Sequence, residues 1–184
     1  MDYFKYDRKS YINLGQIYFW TATIYNWQHL LSEDESKDII VDSMKYLSDM
    51  NKIDVFAFVI MPNHIHIIWR IIENGVKETT VGSFLKFTAH QFLKKINTQN
   101  SNLLNKYKVI AHNKQHEFWQ RDSLAIPLFT KEVAFQKLDY IHNNPIVEKW
   151  SLAKEPVDYK YSTASYYENE INNYTFIKDL REEF

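Results

Sequence analysis

The sequence contains no cysteine and few of the residues that mark flexible joints. Among its 184 residues there are three glycines and four prolines. The lack of thiols excludes disulfides, thiolate metal ligands and a cysteine nucleophile. Because Gly and Pro are scarce and no repeat or linker is visible, we expect a single domain over residues 1–184, with its core at about 11–168. The apolar share of 45% is sufficient for a buried core.

Long hydrophobic runs are also missing from the sequence. The longest strongly apolar run, residues 55–61, is too short to span a bilayer. The opening residues contain no apolar stretch of the kind found in a signal peptide. These absences predict a protein without membrane contact and a cytoplasmic location.

Two histidines bracket an isoleucine in the sequence His64-Ile65-His66, which lies within an apolar run. In a strand, alternate side chains point to the same face, so both imidazoles project together while Ile65 points to the core. Two neutral imidazoles can bind a divalent cation, although a third ligand must then come from elsewhere. Paired histidines on a half-exposed sheet without a metal are the alternative interpretation of this spacing.

A second candidate group follows in a helix predicted to begin after Thr130, which is a suitable N-cap. Tyr140 and Asn144 are four residues apart and would share a face outside the apolar stripe of this helix. Pro145 disfavours helical geometry at Asn144, so we expect that residue in a frayed last turn. Taken alone, the pair also fits a tyrosine at the protein boundary and an asparagine that caps the helix.

Together the two segments resemble a known family. Residues 61–69, which read MPNHIHIIW, and residues 140–147, which read YIHNNPIV, match the histidine and tyrosine motifs of the REP-associated tyrosine transposases. These proteins form a branch of the single-tyrosine HUH transposases that act on hairpins in bacterial DNA. The resemblance extends over about residues 11–168. One departure is Glu148-Lys149-Trp150, because the family commonly has a glycine soon after its Asn-Pro element.

The resemblance implies an α+β, ferredoxin-like fold in which helices back an antiparallel sheet. It makes His64, His66 and Asn144 ligands of a divalent cation, Mg²⁺ or Mn²⁺, and it makes Tyr140 the nucleophile. The implied activity is cleavage and rejoining of single-stranded DNA near hairpins through a covalent 5′-phosphotyrosine. Family members act as monomers or as homodimers, so both states stay open. Two other classes also remain: a hairpin-binding protein without catalysis, and a metal-dependent nuclease that uses water.

Basic residues are concentrated in one part of the chain, although the net charge of −1 gives no overall excess for DNA binding. Residues 79–116 include six lysines and no acidic residue. The alternative is an ordinary solvated helix face; with the two motifs present, we predict contact with DNA phosphates. The candidate DNA-binding residues are Lys86, His90, Lys94, Lys95, Lys106, Lys108 and Lys114.

Hydrophobic periodicity predicts an alternating order of strands and helices. Strands are expected at residues 17–24, 55–60, 64–72, 108–113 and 117–129, and helices at 33–51 and 80–97 as well as after Thr130. Ser32 and Glu35 offer a capping box for the first helix. The turn at residues 61–63 is too short for a parallel crossover, so the strands that flank it should be antiparallel.

Overall fold

A four-stranded antiparallel sheet forms the centre of the computed structural model, which describes residues 11–99, 101–111, 114–121 and 123–184. The strands are β1 (Ile17–Thr23), β2 (Ile53–Met61), β3 (His64–Ile71), β4 (Lys108–Ala111), β5 (Lys114–His116) and β6 (Leu124–Pro127). The sheet has the order β2-β3-β1-β6, while β4 and β5 pair with each other in a separate hairpin. The predicted α+β class and antiparallel sheet are confirmed.

The hairpin of β2 and β3 sets the direction of the two histidines. Only Pro62 and Asn63 connect the strands, and Met61 lies opposite His64. The predicted antiparallel pairing is therefore correct. Because the side chains alternate along β3, Ile65 joins one hydrophobic cluster while His64 and His66 point to the other face of the sheet.

The predicted strands after residue 107 are partly wrong. We expected strands at residues 108–113 and 117–129, of which 112 and 113 lie outside the described residues. In the structure β4 and β5 form their own hairpin, and only the short strand β6 joins the sheet, next to β1. Pro127 ends β6, as expected for a residue that cannot donate a ladder hydrogen bond.

Two helices, α1 (Asp34–Asp49) and α2 (Thr80–Gln99), cover one face of the sheet. Between them and the strands lies a core in which the rings of Trp20 and Trp69 are 4.7 Å apart between centroids. The predicted capping box of α1 is wrong. Ser32 belongs to a 3₁₀ turn that precedes the helix, so the N-cap position falls to Glu33. The Glu33 side chain makes no cap hydrogen bond.

Helix α3 (Lys131–Asn143) covers the opposite face of the sheet. The predicted N-cap is confirmed, because the Thr130 hydroxyl accepts a hydrogen bond from the Val133 backbone N–H at 3.4 Å. As expected, α3 ends at Asn143 and Asn144 lies in the 3₁₀ turn that follows, although the φ of −56° and ψ of −42° of Asn144 are still helical. Both Asn144 and Pro145 are buried, so tertiary packing outweighs the local preference of a residue before proline.

The C-terminal segment packs along β2 and includes the short helix α4 (Ala164–Asn169). Asp54 on β2 anchors part of this segment. Its carboxylate accepts hydrogen bonds from Arg70 at 2.6 and 2.9 Å and pairs with Lys178 at 2.6 Å. Arg70 in turn binds Glu183 at 2.7 Å. Although burial opposes it, the hydrogen bonds from Lys178 and Arg70 lower the pKa of Asp54 overall.

Replacing Asp54 with asparagine should therefore destabilise the protein. We expect the free energy of unfolding to fall by about 2 kcal/mol, because Arg70 and Lys178 both lose the buried carboxylate with which they pair. Chemical denaturation measures this change. Asp49→Asn is the matched control: its pair with Lys45 is exposed, so we expect a loss below about 0.5 kcal/mol. Equal effects of the two substitutions would contradict the assignment.

None of the helices in the described part of the chain is long and apolar enough to cross a bilayer.

Candidate active site

The two histidines of β3 lie side by side on the sheet face that α3 covers. Their ring centroids are 4.8 Å apart, with the ring planes at 72°. The His66 ring also stacks on Phe19 of β1, at 5.1 Å and 25°. Both imidazoles are buried. The predicted alternation along the strand is thus confirmed, and it places two imidazoles on one face.

Hydrogen bonds hold each imidazole through its Nδ1 atom. His64 Nδ1 is 2.7 Å from Asn63 Oδ1, an oxygen that only accepts, so Nδ1 donates and the Nε2 lone pair is free. His66 Nδ1 is 2.7 Å from the Thr21 hydroxyl. The Nε2 atom of His66 is buried without a hydrogen-bond partner. An unpartnered buried nitrogen beside a second imidazole fits the donor set of a transition-type divalent cation.

Burial keeps both histidines neutral. It lowers the pKa of His64 to about 4, helped by the positive charge of Lys149. Burial also lowers the pKa of His66 to about 3, with smaller contributions from His64 and Lys137. Neutral imidazole is the form that binds a metal, so both side chains are ready to act as ligands at neutral pH.

These lowered pKa values predict that acid destabilises the protein. Burial lowers the pKa of His142 to about 4 in the same way. About one pH unit or more above the ordinary histidine pKa of 6.5, all three histidines are neutral in the folded and unfolded states, so they add no pH dependence. As the pH falls towards their folded values, only the unfolded chain takes up protons. Stability should then fall by up to about 1.4 kcal/mol per pH unit for each histidine.

Urea denaturation at about pH 7.5 and about pH 5.5 measures this effect. A hydrogen bond joins His142 Nε2 and the Thr163 hydroxyl oxygen at 3.0 Å. A glutamine side chain at this position can retain the hydrogen bond. The variant His142→Gln should therefore show a shallower loss of stability with falling pH. Equal stability of the unchanged protein at the two pH values would refute the prediction.

Tyr140 projects from α3 next to the histidines. Its ring centroid is 5.3 Å from that of His66 and 5.9 Å from that of Phe19. The side chain is 50% exposed, so solvent and a polymer substrate can reach it. The Lys137 Nζ atom lies 5.7 Å from the Tyr140 ring centroid and 5.0 Å from that of Phe19. A half-exposed phenol, two neutral imidazoles and the ammonium group of Lys137 thus lie together.

Asn144 is buried four residues after Tyr140, where α3 passes into a 3₁₀ turn. Among the described residues there is no group of three or more His, Cys, Asp or Glu side chains that could hold a metal ion. A further protein ligand for the histidine pair would therefore be an oxygen of another type. The amide oxygen of Asn144 is of the kind that binds hard divalent cations, and its role as a ligand stays a prediction.

Several residues of the site were missed in the sequence. Asn63 and Thr21 orient the histidines, and Lys137 lies three residues before Tyr140, which is one turn of a helix. The segment that departs from the family pattern also returns to the site, because the Trp150 ring is 5.9 Å from that of His64. Asn63 could have been found from its position in the histidine motif. Nothing local in the sequence indicates the contact of Trp150.

The predicted basic surface does not meet the histidines. Helix α2 packs on the other face of the sheet, so the exposed residues Lys86, His90 and Lys94 lie on the far side. Lys95 is only 12% exposed and contacts Glu33 at 2.7 Å, which links α2 to the start of α1.

The remaining basic candidates follow α2 in the chain. Lys106 and Lys108 are exposed. Lys114 lies in β5, but its side chain is outside the described part of the structure. DNA contact by any residue of the basic set stays a prediction.

Comparison with known proteins gives a structural likeness only. No family model and no curated protein matches the sequence. A solved structure of a REP-associated tyrosine transposase bound to a REP hairpin matches with a TM-score of 0.59 and 20% identity, over 85% of this chain and 81% of that chain. A candidate transposase from Deinococcus radiodurans R1 has a TM-score of 0.45 and 16% identity, over 73% and 94% of the two chains. The first likeness confirms the fold implied by the two sequence motifs: this chain has the fold of a REP-associated tyrosine transposase.

Proposed function

We propose that this protein is a transposase-like, metal-dependent enzyme that cleaves and rejoins single-stranded DNA near a hairpin through Tyr140. The observation that carries the proposal is the approach of the Tyr140 ring to 5.3 Å from the ring of His66. The Nε2 atom of His66 is buried and has no hydrogen-bond partner. This chain shares its fold with a transposase solved in complex with a REP hairpin, which supports DNA as the partner.

Three side chains would hold the cation: His64 and His66 through Nε2, and Asn144 through its amide oxygen. Both histidines offer Nε2 because their Nδ1 atoms are engaged by Asn63 and Thr21. When bound, Mg²⁺ or Mn²⁺ would withdraw charge from a non-bridging oxygen of the scissile phosphate. Imidazole suits Mn²⁺ better than Mg²⁺, which prefers oxygen ligands.

In the proposed cleavage step, the Tyr140 hydroxyl oxygen attacks the phosphorus atom. A bond forms between that oxygen and phosphorus, and the bond from phosphorus to the 3′ oxygen of the preceding nucleotide breaks. The leaving oxygen takes up a proton and becomes a 3′ hydroxyl, while the phenolic proton passes to water at the half-exposed side chain. The DNA 5′ end remains covalently attached to Tyr140.

The same step run backwards would rejoin the strands. A 3′ hydroxyl attacks the phosphotyrosine, forms a new phosphodiester and releases Tyr140 as the free phenol. One phosphate ester replaces another in each direction, so no ATP is required. Lys137 beside Tyr140 and Lys149 near His64 supply positive charge for the DNA phosphate.

Covalent capture of DNA tests the proposal. The protein is incubated with hairpin DNA that carries single-stranded flanks, in Mn²⁺ or in EDTA, and the products are separated by denaturing electrophoresis. We expect a protein–DNA adduct that forms only with the metal. Cleavage without an adduct would instead indicate a nuclease that uses water. Binding without cleavage would indicate a hairpin-binding protein that lacks catalysis.

A further inference from the structure

A row of aromatic rings leads from His64 towards the protein surface. The Trp150 ring centroid is 5.9 Å from that of His64 and also 5.9 Å from that of His29. The Nζ atom of Lys149 lies 5.1 Å from the Trp150 ring centroid. Trp150 is half-buried and His29 is exposed. One end of the row is therefore the site of chemistry, and the other end is open to solvent.

The loop that carries His29 also exposes a tryptophan in a strained backbone conformation. Trp27 has a φ of +55° and its neighbour Asn26 a φ of +51°, in the left-handed region that side chains other than glycine rarely adopt. The Trp27 side chain is 58% exposed. A strained loop that holds a large aromatic ring in solvent gains nothing for the core, and such strain concentrates at functional sites.

Hydrogen bonds tie this loop to the histidine motif. The Asn63 side-chain amide donates to the Trp27 carbonyl oxygen at 3.4 Å, while its own carbonyl oxygen accepts from His64 Nδ1. The backbone N–H of Leu31 donates to the Pro62 carbonyl oxygen at 2.9 Å, and that of Ile24 donates to the Asn63 carbonyl oxygen at 2.8 Å. One side chain thus positions both a candidate metal ligand and the exposed aromatic loop.

Trp27 and His29 also line a cleft of ≈ 800 Å³ between this loop and the C-terminal half of α2. Lys106, a member of the predicted basic set, lines the same cleft, as do Lys95 and its two partners Glu33 and Glu35. Aromatic faces next to a cationic side chain are the combination that single-strand binders use, because every unpaired base has a face that can stack. A duplex hides those faces and gains nothing from the arrangement.

We infer that Trp27, His29 and Trp150 form a stacking subsite for unpaired bases of the DNA strand that enters the active site. The inference rests on the proposed function for the identity of the strand as DNA. The base adjacent to the scissile phosphate would stack on Trp150 and His29. A second base, nearer the cleft, would stack on Trp27. Asn63 is a positioning residue that keeps this subsite in register with His64.

Binding of a fluorescent ten-nucleotide oligothymidine to the full chain tests the subsite in EDTA, where no cleavage is expected. We expect Trp27→Ala to weaken binding about tenfold, because it removes one stacking face. Trp27→Phe should restore most of the affinity. Tyr46→Ala is the matched control: it removes an exposed aromatic ring of α1 that is not part of the lining of the cleft, and it should leave binding unchanged.

The outcomes separate this inference from the proposed function. Equal binding by Trp27→Ala and the unchanged protein would overturn the subsite, even if the Tyr140 adduct forms. An equal loss of affinity for a duplex of the same length would also overturn it, because stacking requires unpaired bases. A loss confined to the single strand would support the subsite even if no adduct forms, and the failure would then lie with the proposed chemistry.

Discussion

Replacement of Tyr140 by phenylalanine is expected to abolish the covalent adduct while leaving the protein folded and able to bind hairpin DNA. The phenylalanine ring can keep the packing against His66 and Phe19, at 5.3 and 5.9 Å between centroids in the unchanged protein. Only the hydroxyl is lost, and with it the attacking oxygen. We expect adduct formation to fall by at least about a thousandfold, below detection by denaturing electrophoresis.

Tyr46→Phe is the control for Tyr140→Phe, because it removes the hydroxyl of an exposed tyrosine on α1. This variant should form the adduct at the normal rate. Persistence of the adduct in Tyr140→Phe would show that another residue is the nucleophile. Persistence of strand cleavage without the adduct would support a hydrolytic nuclease in which Tyr140 has no chemical role.

Loss of His66 should remove metal binding and metal-dependent cleavage together. In His66→Ala one of the two imidazoles disappears, and the single remaining histidine cannot hold the cation with the same affinity. We expect Mn²⁺ affinity, measured by calorimetric titration, to fall by at least about a hundredfold, and cleavage to fall with it. His64→Ala should behave in the same way, because its ring lies 4.8 Å from that of His66.

Two controls distinguish a metal ligand from a structural histidine. His116→Ala alters a histidine of the separate β4–β5 hairpin and should leave Mn²⁺ affinity unchanged. The stability of His66→Ala is measured alongside, since the loss of a buried ring that contacts Phe19 also creates a cavity. A folded His66→Ala variant with unchanged Mn²⁺ affinity would show that the cation, if one is used, binds elsewhere.

Local patterns predicted most of the central structure. β-Branched and aromatic residues predicted strands at residues 55–60 and 64–72 joined by a tight turn, close to the observed β2 and β3. The helical stripe after Thr130 predicted α3 with its correct N-cap. The predictions failed where neighbours in space competed with local preference. Ser32 was taken up by a 3₁₀ turn instead of capping α1. Asn144 lies beyond the end of α3 as predicted, but in its buried position it kept helical φ and ψ before Pro145.

By itself, the sequence determined which residues share a face. A period of two along β3 places His64 and His66 together, and the helical period places Tyr140 outside the apolar stripe of α3. Two motifs in the order of a known family also indicated the chemistry. These are short-range relations, fixed by backbone geometry, and they need no knowledge of what packs against each element.

Only the tertiary structure decided which elements meet. It placed α3 over the histidines and α2 on the opposite face, which separates the exposed Lys86, His90 and Lys94 of α2 from Tyr140. It also paired Lys95 with Glu33 and brought the Trp150 ring centroid to 5.9 Å from that of His64. Such contacts join residues far apart in the chain, and their formation depends on the burial of apolar surface summed over the whole core.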